Sequence, residues 1–169
     1  MMPDDEHTRW MNHAHTLAAR AAGQDEVPIG AVLVSSSGEI LSEGFNQREQ
    51  SHRTTAHAEI IALENYNQKF ATWRLPAGSR LYVTIEPCLM CAGALLWARL
   101  ECLYYGGPDT KSAGIERIRN LIEAGVYDHR LRSLEGGLDA ERCSKLIQDY
   151  FRQKRKKDDC ALTLQNQTL

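Results

Sequence analysis

Apolar residues recur along the chain in two periods, and the switch between them marks out the elements. Trp10, Met11, Ala14, Leu17, Ala18 and Ala21 fall at helical spacing, which predicts an amphipathic helix over about residues 7–22, closed by Gly23. Residues 29–34 form a short, continuously apolar run, as in a buried strand. Ser35, Ser36, Ser37 and Gly38 are turn material, and residues 40–45 follow as a second strand, so an antiparallel hairpin is expected. Residues 47–55 are polar and read as a loop. A helix is expected from about residue 57 to 66 and a third strand over 81–85. Pro87, whose missing N–H costs nothing in a first turn, opens a helix to about Arg99. A fourth strand over 102–105 precedes a loop over 106–111, a candidate for ligand contact, then a helical stretch and a short strand near 131–134. The last helix carries one apolar stripe, Cys143, Leu146, Ile147, Tyr150 and Phe151, with Asp139 as its expected N-cap. This order predicts a three-layer α/β fold.

The length of 169 residues suits a single domain with a sizeable core, expected over residues 1–157. A short polar tail, 158–169, is expected to be disordered, with Cys160 a free thiol of no special role. No repeat and no linker divide the chain. No apolar run approaches a membrane span. The start, Met-Met-Pro-Asp-Asp-Glu, lacks the apolar stretch of a secretory signal. Five cysteines, two of them in a metal-like motif, do not form a disulfide framework, so a cytoplasmic location is expected. The formal net charge of −2 hides a local excess. Arg142, Lys145, Arg152, Lys154, Arg155, Lys156 and Lys157 gather near the C-terminus, and Asp149 is the only acidic residue between them. Such a patch suits phosphate contacts; the alternative is an ordinary solvated helix face.

The chemistry is concentrated in His57, Ala58 and Glu59 and in Pro87, Cys88, Leu89, Met90 and Cys91. Cysteines at i and i+3 project from one face of a helix start, where free N–H groups and the helix dipole stabilise thiolates. His57, from the start of another helix, supplies a third ligand. Three protein ligands leave one tetrahedral position open, which marks a catalytic rather than a structural zinc. Two thiolates cancel the ion's formal charge, so a base is needed to activate water, and Glu59 is the candidate. One His, two Cys and a Glu that is not a ligand is the pattern of the zinc-dependent base deaminases. A Cys-x-x-Cys pair alone also fits a redox pair or half of a closed structural site, for which Cys102 and His52 are the nearby fourth ligands. Cys102 reads as a small hydrophobe in a strand. His7, His13, His15 and His129 carry no ligand spacing, and His13 and His15 are expected to be solvated.

Over nearly its whole length the chain resembles the bacterial tRNA adenosine deaminase family, within the cytidine/deoxycytidylate deaminase superfamily. The matching segments are Val27-Pro-Ile-Gly-Ala-Val-Leu-Val34, Gly44-Phe-Asn46, Thr55-Ala-His-Ala-Glu59, Trp73-Arg-Leu75, residues 81–94 around the cysteines, and Tyr150-Phe-Arg-Gln-Lys-Arg155. The resemblance implies a three-layer, cytidine-deaminase-like α/β fold, with a mixed sheet of about five strands and helices on both faces. It implies hydrolytic conversion of adenosine to inosine at the wobble position of a tRNA anticodon, by a homodimer with one Zn2+ per subunit. His57, Cys88 and Cys91 would hold the metal, and Glu59 would shuttle protons. Ile29 would pack on the flipped base, Asn46 would hydrogen-bond the target nucleotide, and the Ala58 backbone would read the base edge. Asp109 and Lys111 would meet flanking nucleotides, and Phe151, Arg152 and Arg155 would position the anticodon stem-loop.

Three of these have a plainer reading: Ile29 as strand core, Asn46 as a turn cap, Phe151 as helix core. Two loops depart from the family pattern. Arg53-Thr54 stands where Asp-Pro is frequent, and Ser112-Ala-Gly114 follows Lys111. Two competing functions remain to be separated. A free-base deaminase, with guanine as substrate, is suggested by Leu96-Trp97-Ala-Arg99 and would not need the basic tail. A non-catalytic, zinc-stabilised RNA-binding module would keep its function without Glu59.

Overall fold

A computed structural model describes residues 4–109 and 113–166, with Asp4 and residues 158–166 as backbone only. The elements run α1 (Asp4–Gly23), β1 (Gly30–Val34), β2 (Ile40–Phe45), α2 (Arg48–Ser51), α3 (Ala58–Phe70), β3 (Arg80–Ile85), α4 (Leu89–Trp97), β4 (Cys102–Gly107), α5 (Gly114–Glu123), β5 (Ser133–Gly136) and α6 (Ala140–Asn166). Five strands form one sheet in the order β2-β1-β3-β4-β5. β1 is antiparallel to β2 and β3, while β3, β4 and β5 are mutually parallel neighbours. The expected mixed sheet and three layers are therefore present. The continuous apolar run of β1 is buried along its whole length, because both faces of the sheet are covered.

Alternation along the strands sorts the core into two halves. Ala31, Leu33, Leu81, Val83 and Leu103 face α3, α4 and α5. Val32, Val34, Tyr82 and Tyr104 face α1 and the start of α6. On the first side the backbones come very close. A Cβ on Gly44 of β2 would stand 2.2 Å from the Ala58 carbonyl oxygen and 2.5 Å from the Ala62 nitrogen. Only glycine lets the first turns of α3 settle on the strand, and that contact places His57 and Glu59.

Several local expectations need correction. The segment 47–55 holds a short helix, α2, which has no buried residue and so no periodic signal. Pro87 precedes the α4 N-cap, Cys88, so the helix begins later than expected. β5 lies two residues beyond the expected strand. The expected disordered tail, 158–169, falls on residues whose side chains lie outside the described ones. The Cys160 side chain lies outside the described residues. Asp139 does accept the first helical bond, from Cys143 N at 3.1 Å. Yet its φ is +56° and its carboxylate turns to His15 and Arg142 instead of capping α6. His15 is not solvated: it is 5% exposed, with Nε2 3.3 Å from Cys143 Sγ, because α1 and α6 share one face of the sheet. His13 is half-buried and meets Glu43 Oε1 at 2.6 Å. No helix among the described residues is long and apolar enough to cross a membrane.

Candidate metal centre and its cavity

His57 and Cys88 are the N-cap residues of α3 and α4, each with extended backbone angles, and Cys91 lies in the first turn of α4. Two helix N-termini thus converge, and their free N–H groups favour anionic sulfur between them. His57 Nδ1 stands 3.7 Å from Cys88 Sγ and 3.6 Å from Cys91 Sγ, and the two sulfurs are 3.6 Å apart. Zinc bonds of about 2.3 Å to sulfur and about 2.0–2.1 Å to nitrogen give tetrahedral edges of about 3.8 Å (S–S) and about 3.6 Å (S–N). The three atoms therefore form one face of a tetrahedron sized for zinc. Among the described residues no fourth side chain joins this group. Cys102 is half-buried on β4, and His52 is exposed beyond α2, so neither closes the site.

The electrostatics fit the same reading. Cys88 is drawn down to about 4, first by its hydrogen bond with Cys91 and then by the His57 imidazole. Cys91 is pushed up, first by Cys88 and then by burial. A dication held between the two sulfurs would favour both as thiolates. His57 is raised, chiefly by its contact with Cys88. Glu59, 3% exposed in the first turn of α3, is raised to about 7 by burial. Its charge in turn helps to raise Cys91. A buried carboxyl beside the open side of a metal triad is placed for proton transfer.

A cavity of about 470 Å³ opens onto this centre. Of the residues expected from sequence, Ile29, His57, Glu59, Cys88, Asp109 and Phe151 line it together. Phe151 therefore belongs to the cavity wall rather than to the core alone, and Ile29 is only half-buried. Asn46 caps no turn. Its backbone N donates to Ile29 O at 3.0 Å, and its Nδ2 donates to Glu26 Oε2 at 3.2 Å. Ala58 is fully buried between His57 and Glu59. Arg152 and Arg155 lie outside the lining on the exposed side of α6, Arg152 3.6 Å from Asp149. Lys111 lies outside the described residues.

Sequence reasoning missed several wall residues. Arg48 comes from the unforeseen α2, and Ser144, Ile147 and Gln148 come from α6. Glu86 also lines the cavity; its carboxylate accepts from the backbone N–H groups of Asp109 and Ile115, both at 3.1 Å, which ties the far rim to the strand that leads into Pro87. Only Ile147 carried a signal, as part of the apolar stripe.

Comparisons with known proteins agree with this geometry. Residues 4–107 match the family model of the cytidine and deoxycytidylate deaminase zinc-binding region. A tRNA-specific adenosine deaminase of Bacillus subtilis (strain 168) is 39% identical over 152 residues, covering 90% of this chain and 92% of the relative. A solved structure from work on A-to-I editing by tRNA:A34 deaminases at the wobble position of transfer RNA superposes with a TM-score of 0.75. It is 36% identical and covers 82% of this chain and 99% of that one. A guanine deaminase from Bacillus subtilis shares 34% identity at a TM-score of 0.57, over 66% of this chain and 69% of its own.

Proposed function

This chain belongs to the tRNA-specific adenosine deaminase family, and from that premise we infer that it hydrolyses adenosine to inosine at the wobble position of a tRNA anticodon loop. The observation that carries the reading is the buried Glu59 beside a zinc-sized His57, Cys88 and Cys91 face, at the base of a cavity large enough for a flipped base. His57, Cys88 and Cys91 would hold one zinc per subunit, which would supply Lewis acidity for activating water at neutral pH. Glu59 moves the protons. It takes one from the attacking water and delivers it to purine N1 as oxygen bonds to C6. It then takes the second from the new hydroxyl and gives it to the amino group, which leaves as ammonia while the C6 carbonyl of inosine forms.

Ile29 and Phe151 supply apolar surface for the base, and the Ala58 backbone reads its edge. A loop nucleotide is cheaper to unstack than a paired one, which suits an anticodon. Asn46 hydrogen-bonds the target nucleotide. Asp109, Lys111, Arg152 and Arg155 meet the flanking RNA. The enzyme acts as a homodimer in the cytoplasm, where its thiols stay reduced. The face we assign to the second copy is an apolar groove of about 530 Å³ lined by Ile60, Leu63, Trp73, Ala94 and Trp97. Its two tryptophans are 60% and 65% exposed.

The test is product analysis by mass spectrometry. An anticodon stem-loop with adenosine at the wobble position should yield inosine there with the wild type and not with Glu59→Ala. Xanthine from free guanine, with the stem-loop untouched, would overturn the reading.

A further inference from the structure

Glu26 is 0% exposed, yet the chemistry above makes no use of it. It stands between α1 and β1, in the turn whose Val27 and Ile29 line the cavity. One carboxylate oxygen, Oε2, accepts from Asn46 Nδ2 at 3.2 Å, and the other, Oε1, accepts from the backbone N–H of Gln50 in α2 at 2.8 Å. An ionised carboxylate can only accept, whereas an amide has one accepting and one donating end. Glu26 therefore decides which way the Asn46 amide points. With Nδ2 turned to Glu26 and its backbone N–H held by Ile29, Asn46 has its Oδ1 left to offer.

We propose that Glu26 is a positioning residue for the deamination: it locks the Asn46 side chain so that the target nucleotide meets a carbonyl oxygen rather than an amide NH2. The site then selects a hydrogen-bond donor on the nucleotide, and a group of the wrong polarity is left unpaired in a buried place. The same carboxylate pins α2, which carries Arg48 to the cavity rim. This inference rests on the assignment of Asn46 to the substrate in the proposed function.

A polarity swap tests it. In Glu26→Gln, the carbonyl of the new amide must serve Gln50 N–H, so its NH2 confronts that of Asn46 and the asparagine turns over. kcat/KM on the stem-loop should fall roughly tenfold to a hundredfold, with zinc content and melting temperature close to wild type. Asn46→Asp sets two carboxylates against each other and should lose at least as much. In the double variant the glutamine donates to the introduced carboxylate, whose second oxygen again offers an acceptor. Activity should return to within roughly tenfold of wild type. Losses that simply multiply in the double variant, or an unimpaired Glu26→Gln enzyme, would overturn the proposal. Asn46→Ala at wild-type activity would remove Asn46 from the substrate site, and the proposal with it, while leaving the deaminase standing. A wild type that makes no inosine would instead remove the function itself.

Discussion

The two faces of the sheet are built from different materials. Under α3, α4 and α5 the core is almost wholly aliphatic and alanine-rich, with Tyr66 its one buried aromatic ring. Under α1 and α6 it is aromatic and partly polar. Trp10, Tyr82 and Tyr104 lie there, the two tyrosines stacked at 4.9 Å, with His7 hydrogen-bonded to the Tyr82 hydroxyl and His15 beside Cys143. The contrast follows from what each face must deliver. Small residues such as Ala58 and Ala62 over Gly44 let helix ends approach the sheet closely, which holds the first turn of α3, and with it His57 and Glu59, against the strand. The other face needs bulk to seat a long helix, and the polar groups His7 and His15 on it have partners in Tyr82 and Cys143. Damage to the first face should therefore appear as lost metal and lost chemistry, and damage to the second as lost stability.

The largest effect is expected from Cys91→Ala. It removes one corner of the ligand face, so zinc content should collapse and activity vanish. Because zinc binding is coupled to folding, the melting temperature should also fall towards that of chelator-treated wild type. Elemental analysis and thermal melting check this; full zinc content would exclude Cys91 from the ligand set.

Glu59→Ala comes next, and it separates chemistry from metal on the same face. Turnover of the stem-loop should drop by about 10²–10⁴-fold, the range for a lost acid–base group. Zinc content should stay at the wild-type level. Stability should hold or rise, since burial disfavours the ionised carboxyl. Single-turnover rates alongside zinc content decide it, and coincident loss of both would make Glu59 part of the metal's support.

These expectations could be framed from sequence because the near face is written in local motifs. The histidine and cysteine motifs each sit at one helix start, and apolar runs announce β1 and β3, so the fold class and the candidate metal cluster were both legible. What was not legible depends on partners distant in sequence. His15 lies in an amphipathic pattern that leaves it looking exposed until α6 brings Cys143 against it. Glu26 looks like one more acidic residue after a helix, and only Asn46 and Gln50 reveal a buried acceptor. Arg48 rides on a helix too short and too polar for any period to declare. Arg152 and Arg155 were foreseen as a basic patch, but whether they line the cavity depends on the rotation of α6, which the apolar stripe sets only coarsely.

Trp10→Ala addresses the far face. The side chain is 2% exposed, packs near Tyr82 and donates from Nε1 to Glu6 Oε1 at 3.3 Å. Its removal should cost about 3–5 kcal/mol in urea denaturation. Zinc per folded molecule and kcat should be unchanged. A proportionate loss of kcat at full folding would mean that the two faces are coupled through the sheet, and the division proposed here would fail.

The smallest effect is one of pH, and it too belongs to the far face. Burial lowers the pKa of His15, the Arg142 charge lowers it further, and Asp139, 3.3 Å away, only partly opposes them. In the unfolded chain the same imidazole titrates near its ordinary value of about 6.5. Below that pH the unfolded state binds a proton that the folded state resists. The stability His15 contributes is thus fully present above about pH 6.5 and is lost as pH falls through the lower folded value. Melting temperatures of wild type and His15→Gln, measured between about pH 8 and pH 5, should therefore converge towards the acid end as the wild type loses its advantage. A gap that stays constant across that range would mean that His15 takes up its proton as readily in the fold as in the unfolded chain, with Asp139 compensating fully for burial.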